Sequence, residues 1–157
     1  MKIAIGSDHA GFTLKEAVKA ELLRLGHEVT DVGTTSMDSV DYPDFAIPVA
    51  EKVVAGEVER GVVVCSTGVG VSIAANKVDG ARAAVVTSDE VAALTREHND
   101  ANIIALGQKT TPTTEDGLRW VRTFLSTPFD GGRHERRVQK MLTYESEHHH
   151  GSGGETS

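Results

Sequence analysis

Cys65 is the only cysteine in the chain, and it stands between a run of valines and a turn of small residues, Ser66–Gly70. The run Val62–Val64 predicts a strand buried on both faces, and Val71–Asn76 predicts the start of a helix. A strand, a glycine turn and a helix N-terminus bring free backbone N–H groups together, and such groups bind anions. A helix N-terminus also stabilises a thiolate relative to a thiol. The stretch therefore predicts a nucleophile or general base beside an anion-binding turn, although a lone cysteine is more often an inert buried thiol.

Three known kinds of loop can be compared with this turn. A P-loop ends in Gly-Lys-Ser/Thr, and the turn contains no lysine. A cysteine phosphatase loop has arginine six residues after the cysteine, where this chain has Val71. A dinucleotide fingerprint needs a third glycine, but Gly68 and Gly70 are followed by Ile73. What remains is an anion-stabilising turn into which a thiol and the Thr67 hydroxyl project.

Two further pairs of polar residues lie at predicted element boundaries. Asp8 and His9 follow the first predicted strand, where a carboxylate and an imidazole could face the same cleft as Cys65. The simpler alternative is that Asp8 caps the next helix and His9 lies at the surface. His98 and Asn99 end another predicted helix, where a histidine can simply complement the helix dipole.

Positive charge opens the last predicted helix, although it opposes the dipole there. Arg133 and Arg137 are four residues apart, on one helical face, and could hold a phosphate together. The alternative is a solvated charged face. His148–His150 could bind metal weakly, but they lie in a Gly/Ser-rich tail, and no other grouping in the sequence has the spacing of metal ligands, so we predict no metal.

The elements that must position these residues alternate between strand and helix five times. Strands are predicted over residues 2–5, 29–32, 62–65, 81–86 and 102–106. Thr13 and Glu16 form a capping-box pattern at the first helix, Pro43 suits the first turn of the second, and Ser88 or Asp89 caps a later one. This alternation predicts a three-layer α/β/α sandwich on a five-stranded parallel sheet, Rossmann-like, with an extra C-terminal helix over 132–144.

Length and composition limit the classes of protein. With 157 residues the chain suits one domain, predicted over residues 1–146, followed by a disordered polar tail over 147–157. The formal net charge of −7 disfavours nucleic acid and anionic membrane surfaces as partners. One cysteine cannot form an internal disulfide, and no apolar run approaches the ~20 residues of a membrane span, so we expect a cytoplasmic protein.

Five motifs appear in the order in which a known family has them. They are Gly6–Gly11, Asp41–Asp44, Cys65–Lys77, His98–Asn102 and Gly131–His134. Together they resemble type B ribose-5-phosphate isomerases, whose superfamily also contains isomerases of galactose 6-phosphate, and the resemblance extends from Met1 to Tyr144. It implies an α/β/α sandwich that interconverts ribose 5-phosphate and ribulose 5-phosphate without a metal or organic cofactor.

The resemblance also implies roles for individual residues. Cys65 would move a proton between C1 and C2 through an enediolate with help from Thr67, and His98 with Asp8 would open the furanose ring. The implied substrate-binding residues are Asp8, His9, Ser66, Thr67, Gly68, Val69, Gly70, Asn99, Lys109, Arg133 and Arg137, with His9 and the two arginines on the phosphate and the backbone amides of the turn on the enediolate. The site would be shared in a homodimer, with His98 and Asn99 from the partner, and pairing of dimers into a tetramer stays open.

Two positions depart from the family pattern. Many relatives have glycine where this chain has Ser66, so a side chain must fit a position that often needs glycine-like freedom. Lys109 stands where relatives typically have arginine, which keeps the charge but loses the bidentate fork. Both departures affect the preferred sugar more than the type of reaction.

Other functions stay open on the sequence. The protein could isomerise another phosphosugar, such as galactose 6-phosphate, allose 6-phosphate or a tetrose phosphate. It could instead be a non-catalytic phosphosugar-binding module, which would bind ribose 5-phosphate without isomerising it. A nucleotide-binding domain, based on Gly68 and Gly70 with Asp89 after the next strand, would bind NAD or ATP.

Overall fold

The computed structural model describes residues 1–148, in which five strands alternate with helices. The strands are β1 (Lys2–Ser7), β2 (Glu28–Asp31), β3 (Arg60–Cys65), β4 (Ala83–Val85) and β5 (Ile103–Gly107). The helices are α1 (Phe12–Arg24), α2 (Pro43–Val54), α3 (Val69–Ala75), α4 (Asp89–Asn99), α5 (Thr114–Ser126) and α6 (Arg133–Glu147).

The strands form one parallel sheet in the order β2-β1-β3-β5-β4. The chain moves outward from β1 to β2 on one side and then returns to place β3 on the other side of β1. The order therefore reverses between β1 and β3, and in open parallel sheets ligands bind at such a point, outside the carboxyl ends of the strands. The turn after Cys65 and the turn that contains Asp8 both lie at these carboxyl ends.

Helices cover both faces of the sheet, because side chains alternate between the two faces along each strand. Val62 and Val64 of β3 point to the layer of α1, α4 and α5, and Val63 and Cys65 point to the layer of α2 and α3. Helix α6 packs against α4 as the extra C-terminal helix. The predicted three-layer sandwich on a five-stranded parallel sheet is confirmed.

The helix starts show which local signals determined the structure. Pro43 is the first residue of α2, and the Ser88 hydroxyl accepts a hydrogen bond from the Val91 N–H at the start of α4, as predicted. The capping box predicted at Thr13 and Glu16 is wrong. Helix α1 already begins at Phe12, so Thr13 lies inside it, and the Asp8 carboxylate instead accepts a hydrogen bond from the N–H of the capping residue, Gly11.

The C-terminal boundary differs from the sequence prediction. Helix α6 runs to Glu147, three residues past the predicted end at Tyr144, and Glu145 accepts hydrogen bonds from the Gly80 N–H through both carboxylate oxygens. This contact anchors the last turns of the helix. The division into a domain over 1–146 and a tail over 147–157 stays a prediction, and residues 149–157 lie outside the described residues. Within residues 1–148, no helix has both the length and the apolar character required to cross a bilayer.

Candidate active site

Three strand-to-helix turns meet at the carboxyl ends of the strands. The Asp8 N–H donates to the Val64 carbonyl at 3.3 Å, which joins the turn after β1 to the end of β3. The N–H groups of Gln108 and Lys109 donate to the carbonyls of Cys65 and Ser66 at 2.9 and 2.8 Å, which joins the turn after β5 to the same point. The structure therefore brings the predicted residues of the two principal turns together beside Lys109.

Cys65 ends β3 with its side chain 5% exposed. It belongs to the apolar cluster beneath α2 and α3, together with Val63 and Val71. The strand on each side fixes its backbone, since β3 pairs with both β1 and β5. A thiol in this position has an apolar environment on one side and the turn Ser66–Gly70 on the other.

The turn after Cys65 needs a glycine at one position, and that position is Gly68. Its φ is 80°, in the left-handed region, and a Cβ there would lie 3.0 Å from the Leu106 carbonyl carbon. The expectation that Ser66 occupies a position needing glycine-like freedom is wrong, because within residues 1–148 the only non-glycine residue with positive φ is Asp100. The serine is therefore accommodated without backbone strain.

Polar groups of the turn face outward. Thr67 is exposed, and its hydroxyl accepts a hydrogen bond from the Val69 N–H at 3.2 Å. Helix α3 starts at Val69, so the first N–H groups of this helix have no carbonyl one turn earlier to bond. Lys109 keeps the turn geometry through its backbone N–H, and its side chain is exposed. The arginine-to-lysine departure therefore leaves the fold of the turn intact.

Asp8 and His9 lie in the turn after β1, which is hydrogen-bonded to the end of β3 just before Cys65. Asp8 is 7% exposed, and its carboxylate accepts a hydrogen bond from the Gly11 N–H at 3.0 Å. Asp8 therefore has the predicted capping role at the start of α1. The His9 ring accepts a hydrogen bond at Nδ1 from the Val40 N–H at 3.2 Å, which leaves Nε2 as the nitrogen that can donate. The loop before α2 is thereby joined to this turn.

Tyr42 lies at the same end of the sheet, beside the turn after Cys65, and no role was predicted for its side chain. A Cβ at Gly70 would lie 2.8 Å from the Tyr42 ring, so the glycine allows the ring to pack against the start of α3. Tyr42, Val69 and Ile73 are 40%, 49% and 57% exposed, and together we call them the apolar rim. The signal in the sequence was the spacing of Val69 and Ile73, which puts both on one face of a helix.

His98 and Asn99 lie at the opposite end of the sheet, where the strands begin. Helix α4 starts after the end of β4 and returns the chain to the start of β5. There the Asn102 N–H donates to the Arg82 carbonyl just before β4, and the Asn102 carbonyl accepts from the Gly61 N–H near the start of β3. The six residues of β3 span roughly 20 Å between the two ends of the strand. One chain therefore does not bring His98 and Asn99 together with Cys65.

The start of α6 lies beside the end of α4. The rings of His98 and His134 stack with centroids 4.2 Å apart and planes 10° from parallel, and the Asp130 N–H donates to the Glu97 carbonyl at 3.1 Å. Burial, together with the charges of His98, Arg133 and Arg137, lowers the pKa of His134, while Asp130 opposes that shift. The exposed Arg133 and Arg137 are thus placed with His98 and not with Cys65.

The same cluster has the composition of a metal site. Donor atoms of His98, Asp130 and His134 all lie within 4.8 Å of one another. Sequence spacing missed this group because its members come from α4 and, far along the chain, from α6 and the loop before α6. The lone pairs of imidazole lie in the ring plane, however, so two stacked rings direct them in parallel and not toward one ion. A metal would need one ring to leave the stack.

Comparisons with known proteins give one consistent result. A family model described as Ribose/Galactose Isomerase matches residues 3–141. Ribose-5-phosphate isomerase B of Escherichia coli is 44% identical over 144 residues, which cover 92% of this chain and 96% of that protein. The structure of Clostridium thermocellum ribose-5-phosphate isomerase B is 51% identical, covers 94% of this chain and 99% of its own, and superposes with a TM-score of 0.92. The structure of the Mycoplasma genitalium enzyme with bound ribulose-5-phosphate is 43% identical, covers 93% and 97%, and has a TM-score of 0.89.

Proposed function

The chain belongs to the Ribose/Galactose Isomerase family, and we propose that it interconverts ribose 5-phosphate and ribulose 5-phosphate. The family resemblance drawn from the five sequence motifs is thereby confirmed. The observation that carries the proposal is that the turn with Asp8 and His9 meets the end of β3, where Cys65 lies, at the point where the strand order reverses. This arrangement occurs in a chain similar throughout its fold to a protein that binds ribulose-5-phosphate. The reaction moves hydrogen within one molecule, so its stoichiometry requires no redox cofactor.

The proposed proton transfer uses the Cys65 turn. The proton on the carbon next to a carbonyl is weakly acidic, so its removal needs a base and a prepared site for the enediolate oxygens. Cys65 is the base in this proposal. Thr67 assists at the oxygens, and backbone N–H groups of Ser66–Gly70 stabilise the negative charge. The geometry supports this assignment, because Cys65 ends β3 directly before the turn that carries these amides, and the turn after β5 donates hydrogen bonds to the Cys65 and Ser66 carbonyls.

Ring opening and phosphate binding use the other cluster. We assign His98 with Asp8 to opening of the furanose, Asn99 and Lys109 to contacts with the sugar phosphate, and Arg133 and Arg137 with His9 to the phosphate. One chain holds Cys65 where the strands end and His98 where they begin. These groups therefore meet only if a second copy supplies the His98 cluster. The proposed enzyme is therefore a homodimer with two shared sites.

The apolar rim supports this assembly. Tyr42, Val69 and Ile73 are exposed directly beside the Cys65 turn, where a second copy would cover them. Covering them would also exclude water from the thiol. A cytoplasmic location is proposed in addition, supported by the single thiol that forms no disulfide within the described chain.

A panel of phosphosugars tests the proposed reaction. We expect kcat/KM for ribose 5-phosphate to exceed that for allose 6-phosphate, galactose 6-phosphate and erythrose 4-phosphate by at least about tenfold, because binding energy at the phosphate places only one chain length correctly at Cys65. Deuterium from solvent should enter the substrate at C2 or C1 during turnover. A better six-carbon or four-carbon substrate would replace the assignment, and binding of ribose 5-phosphate without deuterium exchange would make the protein a binding module.

Arg137→Ala tests the phosphate assignment. We expect KM for ribose 5-phosphate to rise on the order of tenfold to a hundredfold with a smaller change in kcat, because a charge-assisted contact to phosphate is lost. Arg136→Ala is the matched control, since Arg136 is equally exposed but lies on a different face of α6. Equal KM values for the two variants would remove Arg137 from the phosphate site.

A further inference from the structure

We infer that His134 is a positioning residue for ring opening: its imidazole stacks on that of His98 and fixes the plane in which His98 exchanges a proton with the sugar. The inference rests on the proposed function, and it adds to that function a residue that does not itself touch the substrate. His134 is far from His98 in sequence, and they meet only because α6 packs against α4.

The geometry of the stack restricts the His98 ring. A centroid separation of 4.2 Å with planes 10° from parallel is close face-to-face contact, so the His98 ring cannot rotate out of its plane without losing it. Its two nitrogens lie at the ring edge, outside the stacking contact, where a substrate hydroxyl or ring oxygen would approach. The stack therefore limits orientation without using the groups that transfer the proton.

His134 can act in this way because its own side chain is fixed. It is 9% exposed, and it shares the inner face of α6 with Val138, four residues later, which is 5% exposed. The loop before α6 is joined to the end of α4 by the hydrogen bond from the Asp130 N–H to the Glu97 carbonyl. By contrast, His98 is only half-buried at the end of its helix and has more freedom to move.

The charges around the stack favour the neutral form of the His134 ring. Arg133 and Arg137 from α6 and His98 from α4 add positive charge around His134, the Asp130 carboxylate adds negative charge, and Glu97 presents its backbone carbonyl to the entry loop. Burial and the positive neighbours lower the pKa of His134, which favours the neutral form of this ring. A neutral His134 ring adds no charge beside the ring that it positions.

The test separates ring opening from proton transfer at carbon. Ribose 5-phosphate is a furanose that must open before it reacts, whereas ribulose 5-phosphate cannot close a furanose, because its C5 oxygen carries the phosphate. Exchange of the C1 hydrogen of ribulose 5-phosphate with deuterated water therefore needs the Cys65 turn but no ring opening. The two assays report on the two clusters separately.

We expect His134→Ala to lower kcat for ribose 5-phosphate on the order of tenfold to a hundredfold, while KM and the exchange rate of ribulose 5-phosphate stay within about twofold. His134→Phe keeps a flat ring in the stack and should recover kcat to within about threefold of wild type. Val138→Ala is the matched control, because it loosens the same face of α6 without removing a ring, and it should leave kcat nearly unchanged.

Several outcomes would overturn the inference. They are unchanged kcat in His134→Ala, an equal loss in both assays, an equal loss in Val138→Ala, no recovery in His134→Phe, or activity that EDTA removes and zinc restores, which would make the cluster a metal site. Failure of the proposed function would look different, since wild-type protein would then isomerise no ribose 5-phosphate at all.

Discussion

Cys65→Ala protein is expected to fold and to lose isomerisation of ribose 5-phosphate by on the order of a thousandfold or more, because general base catalysis typically contributes up to about 10⁴-fold. Solvent deuterium should no longer enter ribose 5-phosphate or ribulose 5-phosphate during incubation. Both losses have one reason. The proposed enediolate forms only if a base removes the proton from carbon, and Cys65 ends β3 directly before the turn Ser66–Gly70.

The fold of this variant should persist, because the change removes only a sulfur atom from a residue held by pairing of β3 with both neighbours. Val63→Ala is the matched control. Val63 lies two residues earlier on the same face of β3, in the same apolar cluster, and is fully buried. It should lower the melting temperature and leave kcat of the folded protein close to wild type. Deuterium incorporation by Cys65→Ala at the wild-type rate would exclude Cys65 as the base.

The fold could be predicted from the sequence because its signals are local. Valine runs, Pro43 and the glycines that follow helices each determine one boundary, and every predicted strand is present within a few residues. The capping box at Thr13 failed for a tertiary reason. The end of β1 is fixed against β3 and presents Asp8 to the Gly11 N–H, so α1 starts earlier than its own sequence pattern indicates.

The site was predictable only where neighbouring strand ends produce it. Asp8 and Cys65 follow adjacent strands of a parallel sheet, so their proximity follows from topology alone. The stack of His98 on His134 depends on how α6 packs across α4, and nothing in the local sequence of either helix encodes that crossing. The glycine-like freedom expected at Ser66 is found instead at Gly68, which has a φ of 80° and whose added Cβ would lie 3.0 Å from the Leu106 carbonyl carbon.

Mixing two inactive variants should restore activity if the site is shared between chains. Cys65→Ala retains the His98 cluster, and His98→Ala retains the Cys65 turn. In a heterodimer of the two, one site receives both intact parts and the other receives both defects. Random pairing of equal amounts makes half of all dimers mixed, so about a quarter of the wild-type activity should return. Each variant alone should show only its own residual rate.

The reverse arrangement provides the control. Chains with both Cys65→Ala and His98→Ala, mixed with an equal amount of wild type, place one defect in every site of a mixed dimer. After exchange, the activity of the wild-type chains should fall to about half, since half of them are then paired with a defective partner. A site built within one chain predicts the opposite pattern, with no recovery in the first mixture and no loss in the second. The length of β3, roughly 20 Å, separates the two ends of the sheet and favours the shared site, because no side chain spans that distance.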